Sequence, residues 1–559
     1  MTTPQIAHPQ VAPPLRESFW PRDTSVPLIE HTVGSLLAER AKTHAGSLAL
    51  VGSAHGTGEE RRLTYRELYA EARRVAAGLR RLAEPGEHVA LWAHNVVEWP
   101  IIQYGAALAG VTLVALNPVL RPDELLYALN HSRAVVLLHA DRSRDYDLAA
   151  VAAEIGPRCP ALRHTISLSQ PERWTADPGE SPEPEIAPEI DAETDAVITP
   201  DSPVMLQYTS GTTGKPKGVL LSHRALVNVA KLTVEVAEVP AGAVCAAPLP
   251  MFHTAACVIS TLGPLWLGGT VLLVERFDPA SVLELIERES ATALFYVPTI
   301  LIAVLQAARA GAGPMPRLTA VVGGGANVPG AVIEAVSREF GASVHNLFGQ
   351  TELAPVLTLT RKSDTPEDLV NTVGRPIPQV DCKIADPVTG EVRPLGVEGE
   401  ICARGYQQLI EYYGDPEATA VAVDADGWVH TGDLGTMDER GVVTVTGRIK
   451  DLIIRGGENI APAEIESCLV AHEAVVDAAV VGVADDRWGE TVGAVVVPRE
   501  PGRPGLMEEL VAHCRERLSP YKVPQHWFFV DALPLTATGK SHKPTIRSSI
   551  AEGRLTPVN

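Results

Sequence analysis

Between Tyr208 and His223 the chain reads YTSGTTGKPKGVLLSH, setting four hydroxyl side chains, three glycines and two lysines between one apolar run and the next. Glycines let successive backbone N–H groups turn toward one point. The hydroxyls of Thr209, Ser210, Thr212 and Thr213 add donors, and Lys215 or Lys217 adds positive charge. That combination is a cradle for an anion, and phosphate is the anion it suits best. It is not the G-x-x-x-x-G-K-S/T phosphate loop. Gly211 and Gly214 are three apart and Lys215 is followed by Pro216, so no hydroxyl stands where that loop places one for magnesium.

A cradle of this kind needs rigid stems. "PVMLQYT" reads as a strand entering the loop and "ALVNVAKLTVEVA" as a helix beyond it. Upstream, "TYREL" opens a helix with a Thr64–Glu67 capping box, and Leu68, Ala72, Val75 and Leu79 share one helical face. Asn95 and Glu98 in "NVVEW" are read as caps of the next helix. "HVALWA", "GVTLVAL" and "AVVLLHA" are buried strands, with "RPDELLYAL" a helix among them. Downstream, the strands "GTVLLVE", "ALFYVP" and "LTAVVGGG" alternate with the helices "PASVLELIERE" and "GAVIEAVSREFG". Such alternation predicts an α/β fold of doubly wound, mainly parallel sheets. The acidic, proline-rich stretch from Ser169 to Asp195 reads as an exposed connection between two lobes.

After about residue 370 the pattern becomes short strands and turns, a β-rich portion, and from Lys450 a compact mixed piece follows. We therefore expect a polar, Pro-rich extension over 1–30, a large domain over 31–449 and a small mobile α+β domain over 450–559.

Composition narrows the function. A chain of 559 residues with 45% hydrophobic and 21% charged residues is globular and holds more than one domain. Its 47 Lys and Arg against 68 Asp and Glu leave a net −21, which argues against nucleic acid or an anionic membrane as partner. The seven cysteines are scattered without C-x-x-C spacing, which reads as reduced thiols in a cytoplasmic protein. The N-terminus lacks the basic head and apolar core of a signal peptide. The most membrane-like window, Ala256 to Val274, is expected to be cut by Gly263–Pro264 and Gly268–Gly269 into a buried helix, a turn and a strand, and no membrane span is expected.

The eleven residues YTSGTTGKPKG resemble the signature loop of the adenylate-forming superfamily: acyl- and aryl-CoA synthetases, nonribosomal adenylation domains and beetle luciferases. Other signatures follow in family order: "PLPMFHTAA" at 248–256, "GGGA" at 323–326, "NLFGQTE" at 346–352, "GWVHTGDLG" at 427–435, "GRIKDLIIRGGENIAPAEIE" at 447–466 and "LTATGKSHK" at 535–543. The resemblance implies a two-step reaction: a carboxylate attacks the α-phosphate of ATP held with Mg2+, giving acyl-adenylate and pyrophosphate, and the thiol of coenzyme A then displaces AMP.

By that resemblance Thr209, Ser210, Gly211, Thr212, Thr213, Gly214 and Lys217 hold the β- and γ-phosphates, Glu352 supplies the metal ligand, and Thr351 meets the α-phosphate. Gly324, Gly325 and Ala326 form a glycine turn beside the nucleotide. Asn346, Phe348, Gly349 and Gln350 complete the adenine side, with Phe348 standing where the family more often has tyrosine. Asp433 serves the ribose, Arg448 the ribose or the phosphate side, and Lys540 bridges the acyl carboxylate and the α-phosphate.

Lys450 matches the hinge about which the small domain turns between steps. Arg455, Gly456, Gly457 and Glu458 then line the thiol tunnel, with His253 as its gate. Tyr521 and Lys522 meet the CoA nucleotide, although Val523 stands where some relatives have arginine. The acyl pocket draws on Ala255, Ala256, Cys257, Phe295, Val297, Gly323, Gly325, Leu353 and Ala354, small and apolar residues that suit a fatty or bulky alicyclic acid.

The 19 residues after Lys540 leave no room for a fused carrier domain, which favours CoA as acceptor. A stand-alone ligase loading a separate carrier protein is the alternative, and a luciferase-like oxygenase is remoter. A non-catalytic binder of nucleotide and acid would be expected to lose Lys540 or Glu352, and both are present. A homodimer is left open.

Overall fold

The computed structural model describes residues 14–176, 198–209, 216–326, 328–455, 458–485, 487–535 and 541–558. They form two compact units. The first comprises Trp20–Cys382 and Ala403–His430; the second comprises Pro14–Phe19, Lys383–Cys402 and the stretch from Thr431 onward.

Two large sheets organise the first unit. One has seven strands in the order Glu411–Tyr412, Lys217–Ser222, Pro203–Thr209, Thr112–Leu116, His88–Trp92, Val136–His139, His164–Ser167. The first two pairings are antiparallel and the rest parallel. The other has nine strands in the order Arg375–Pro376, Thr358–Leu359, Ser343–Phe348, Ala320–Gly324, Ala293–Tyr296, Val244–Ala247, Thr270–Leu273, Leu48–Ser53, Glu60–Thr64, parallel through its middle and antiparallel at both ends. Every residue of His88–Trp92, Thr112–Leu116 and Val136–His139 is buried, as expected of parallel strands covered on both faces. The predicted doubly wound α/β architecture is what forms.

The Thr64–Glu67 capping box starts helix Tyr65–Arg80, whose Leu68, Ala72, Val75 and Leu79 are buried. Asn95 and Glu98 do not cap the following helix, Glu98–Ala109, which has Val97 at its cap position and no side-chain cap. They serve tertiary contacts instead. Asn95 Nδ2 donates to the carbonyls of Leu249 (2.8 Å) and Val274 (2.9 Å), and its Oδ1 accepts from Met251 N–H (2.8 Å). Glu98 accepts from His55 N–H at 3.0 Å.

Gly263–Pro264 also fails to cut the apolar window. A π-turn, Ala255–Ser260, runs into helix Thr261–Leu267 with Pro264 inside it, and only Gly268, at φ +64°, ends it. Pro264 lies one turn past the point where the π-turn hands over to the α-helix, so its missing N–H falls where the hydrogen-bond ladder is already irregular. The expected exposed connection is exposed over residues 169–173, but Trp174 and Ala176 then pack inside, with Ala176 N–H donating to Arg74 O at 2.9 Å, and residues 177–195 lie outside the described residues.

In the second unit two long antiparallel strands, Val475–Asp485 and Gly489–Pro498, send alternate side chains to opposite faces. Ala478, Val480, Val492 and Ala494 join a core with Leu469 and Leu510 from helices Pro462–Val470 and Leu506–Arg517, while Ala479, Val481 and Val495 meet Phe528 and Ile546.

Asn95 closes three buried backbone groups with one side chain. Replacing it by Ala strands them, and each orphaned group costs about 1–3 kcal/mol. Asn95→Ala should lower the urea stability of the first unit by at least about 2 kcal/mol; a loss below about 0.5 kcal/mol would show that the loops around Leu249 and Val274 close without it.

Candidate active site

The cradle's stems are a hairpin. Pro203–Thr209 pairs antiparallel with Lys217–Ser222, and Thr209 lies opposite Lys217. Ser210, Gly211, Thr212, Thr213, Gly214 and Lys215 lie outside the described residues. Helix Pro122–Ser132 fastens both stems: Tyr208 Oη donates to Ala128 O at 2.8 Å, His131 Nδ1 meets the same hydroxyl at 3.0 Å, and Tyr127 Oη donates to Pro216 O at 2.9 Å.

The remaining candidates of the first unit follow the carboxyl ends of four neighbouring parallel strands, where open α/β sheets hold their ligands. Val244–Ala247 leads to His253 and Ala255–Cys257. Ala293–Tyr296 ends with Phe295 buried and Val297 half-buried. Ala320–Gly324 runs into Gly325 and Ala326, both exposed. Ser343–Phe348 leads into Gly349–Ala354. Register sets Tyr296, Gly323 and Asn346 side by side across three of these strands. Glycine is required there: a Cβ on Gly324 would lie 2.1 Å from Leu347 O, and Gly325 turns at φ +87°.

Gly349 and Gln350 are half-buried, and a single 3-10 turn, Thr351–Leu353, buries Thr351, Glu352 and Leu353, with Ala354 also buried at φ +59°. Glu352 O accepts from Leu409 N–H at 2.8 Å, and Glu352 Oε1 accepts from the Tyr412 hydroxyl at 2.8 Å. The Lys217 ammonium sits over the Tyr412 ring, 4.5 Å from its centroid. Burial, with Glu352 second, raises the Tyr412 phenol well above its ordinary pKa, so it stays a donor.

Tyr412 was absent from the sequence expectation. Its place depends on the two-residue strand Glu411–Tyr412 pairing with Leu220 and Val219, far too short to leave a periodicity. Phe348 ends its strand half-buried. Asn346 is engaged at both ends of its amide: it accepts from the Tyr296 hydroxyl and donates to Leu369 O at 2.9 Å.

His253 Nδ1 accepts from Ala255 N–H at 3.1 Å, which puts the neutral ring's proton on Nε2. Ala256 is buried and Ala255 half-buried. The Cys257 thiol is enclosed, 3.6 Å from Met205 Sδ and accepting from Gln207 Nε2 at 3.2 Å, and burial pushes its pKa up to about 12.

In the second unit Asp433 and Arg448 are cross-strand partners, with Arg448 Nε 2.6 Å from Asp433 Oδ1. Lys450 is exposed in the single turn Ile449–Asp451. Arg455 Nη1 donates to Tyr521 O at 3.1 Å, and Arg455 lies opposite Glu458 in register. Lys522 is committed to Glu464 at 2.6 Å. Gly456, Gly457 and Lys540 lie outside the described residues.

A folded-state thiol pKa near 12 keeps Cys257 protonated where an exposed thiol ionises. Native protein at pH 8.5 should therefore leave Cys257 unalkylated by iodoacetamide while urea-unfolded protein labels it fully, as read by peptide mass spectrometry. The sign follows for stability: a raised thiol pKa contributes fully below about pH 9 and is lost as pH rises toward 12. Rapid native labelling of Cys257 would contradict the enclosure.

Residues 37–413 match the AMP-binding enzyme family and residues 464–540 match the AMP-binding enzyme C-terminal domain. The chain is 35% identical over 543 residues to the putative acyl-CoA synthetase YngI of Bacillus subtilis (strain 168), covering 94% of this chain and 98% of that protein. It is 35% identical over 501 residues, covering 87% and 93%, to a methyl-dioxo-octahydroindenyl-propanoyl:CoA ligase of Rhodococcus jostii (strain RHA1). Among solved structures it is similar to ATP-bound MatB from Rhodopseudomonas palustris, with a TM-score of 0.79 and 28% identity over 93% of this chain and 99% of that one. With both family regions matched and relatives of this identity covered almost end to end, the chain belongs to the AMP-binding, adenylate-forming enzyme family, among its acyl-CoA ligases.

Proposed function

We propose that this chain, an ATP-dependent acyl-CoA ligase, activates an apolar carboxylic acid as its acyl-adenylate and passes the acyl group to coenzyme A. The observation that carries the reading is the approach of Lys217 and Glu352 to one side chain, Tyr412, with Thr351 and Glu352 following the end of the parallel strand Ser343–Phe348. In the first step a substrate carboxylate oxygen bonds to the α-phosphorus of ATP and the bond to pyrophosphate breaks. The leaving group carries several negative charges, which Lys217 and the hydroxyls of its loop are suited to hold. Thr351 is assigned to the α-phosphate and Phe348 to the adenine face. Asp433 is assigned to the ribose, with Arg448 holding its carboxylate.

Glu352 fits a hard divalent cation: it offers carboxylate oxygens, of which the Tyr412 hydroxyl engages one. Mg2+ bound there would screen the phosphate charge. Lys540 is assigned to the acyl carboxylate and α-phosphate, where negative charge builds in the transition state. For the second step the small domain, 450–559, is proposed to turn about Lys450, bringing Arg455–Glu458 to the thiol and leaving His253 as the gate between acyl pocket and tunnel. Tyr521 and Lys522 are assigned to the CoA nucleotide; Lys522 would have to exchange its Glu464 partner for a phosphate.

An apolar acid is supported by the burial of Ala256, Cys257, Phe295, Leu353 and Ala354. A fatty or bulky alicyclic acid is the substrate class, the second supported by the bicyclic keto acid named for the Rhodococcus ligase. Loading of a carrier protein is the second reading for the acceptor, and the cytoplasm is the proposed setting. None of the seven cysteines is in a disulfide. Among the described residues no helix is long and apolar enough to cross a membrane.

Lys540→Ala separates the two half-reactions. Adenylate formation should fall by about 10²–10³-fold, the scale of losing one transition-state donor, while thioester formation from supplied acyl-adenylate and CoA stays within about threefold. Equal losses in both steps would overturn the role of Lys540. A mass-spectrometric panel of fatty, alicyclic and aryl acids with ATP and CoA should return fatty or alicyclic thioesters; aryl products alone would overturn the pocket assignment.

A further inference from the structure

Lys217 and Glu352 are opposite charges brought close to one side chain, yet no described ion pair joins them. An ion pair would use up both charges, one needed for phosphate and the other for a cation. Tyr412 stands between them. Its hydroxyl has one proton to give and gives it to Glu352 Oε1 at 2.8 Å, and its ring face receives the Lys217 ammonium at 4.5 Å, well inside cation–π range.

We propose that Tyr412 is a positioning residue for the adenylation step: it holds one oxygen of Glu352 so that the other is presented to the divalent cation, and it seats Lys217 for the pyrophosphate without letting the two charges neutralise each other. This rests on the assignments of Glu352 and Lys217 made above and deepens them.

The backbone around Tyr412 is held firmly enough for the task. Tyr412 lies opposite Val219 in the sheet, Tyr413 N–H donates to Gly218 O at 2.8 Å, Ile410 N–H donates to Leu220 O at 2.8 Å, and Tyr412 N–H donates to Thr419 Oγ1 at 2.9 Å. Leu409 N–H also holds the Glu352 carbonyl, so the backbone and the side chain of Glu352 are both tied to one four-residue segment. The Tyr412 side chain is buried. Hydrogen-bond partners of metal-binding groups commonly change cation affinity by 10–100-fold when removed, because they fix the ligand's direction.

The test uses the full chain and reads ATP binding by calorimetry across a magnesium series, without acid. Tyr412→Phe keeps the ring and removes the hydroxyl. It should raise the magnesium concentration for half-maximal ATP binding by about tenfold and leave ATP binding without divalent cation unchanged. In a Glu352→Gln background the same substitution should change nothing further, because the carboxylate whose second oxygen it presents to the cation is gone. Tyr412→Leu removes the ring as well and should weaken binding of inorganic pyrophosphate by about threefold relative to Tyr412→Phe.

A wild-type magnesium curve for Tyr412→Phe, or an equal loss in both backgrounds, would overturn the proposal; equal pyrophosphate affinity for the Phe and Leu variants would overturn the seating of Lys217. Failure of the ligase reading shows elsewhere: normal magnesium-dependent ATP binding with no product from any acid.

Discussion

Hydrogen bonds to Glu352 tie the two sheets of the first unit together at the site, and the one from the Tyr412 hydroxyl sets its carboxylate. Glu352 follows a strand of the nine-stranded sheet, and Tyr412 belongs to a strand at the edge of the seven-stranded sheet. The edge strand pairs with Lys217–Ser222, and Lys217 faces Thr209 across the hairpin that carries the phosphate loop. A single contact therefore relates the carboxylate for the cation to the lysine for the phosphate, although they come from different sheets. A shift of one sheet against the other would break it, so the packing of the lobes and the geometry of the chemistry are the same constraint.

The rest of the site follows from strand ends. Parallel strands place their carboxyl ends on one side, and register aligns Tyr296, Gly323 and Asn346 there. Glycines at 323 and 324 exist because the neighbouring backbones leave no space for a side chain. Asn346 illustrates how such a site is held: its amide is bound to Tyr296 and Leu369, which fixes the strand that delivers Phe348, Thr351 and Glu352. The positive charge of the loop, odd in a chain of net −21, answers to the most anionic group in the reaction.

Much of this was legible in the sequence because it is local. Strand and helix periodicity gave the alternation; the Thr64–Glu67 cap and the glycine turn after Ala320–Gly324 need only neighbours to form. The YTSGTTGKPKG signature carried the reaction type. What failed was decided by distant partners. Asn95 has cap-forming chemistry, but three backbone groups more than 150 residues away claim its amide. Pro264 reads as a breaker until the π-turn that runs into its helix is known. Tyr412 is an ordinary tyrosine until a two-residue pairing sets it against Lys217 and Glu352.

The central claim is that this chain makes an acyl-adenylate with loss of pyrophosphate, so the reverse flow of label is the most direct measurement. With Mg2+, ATP and an apolar carboxylic acid, and without CoA, labelled pyrophosphate should enter ATP only when the acid is present. No acid-dependent exchange across fatty and alicyclic acids would contradict the account.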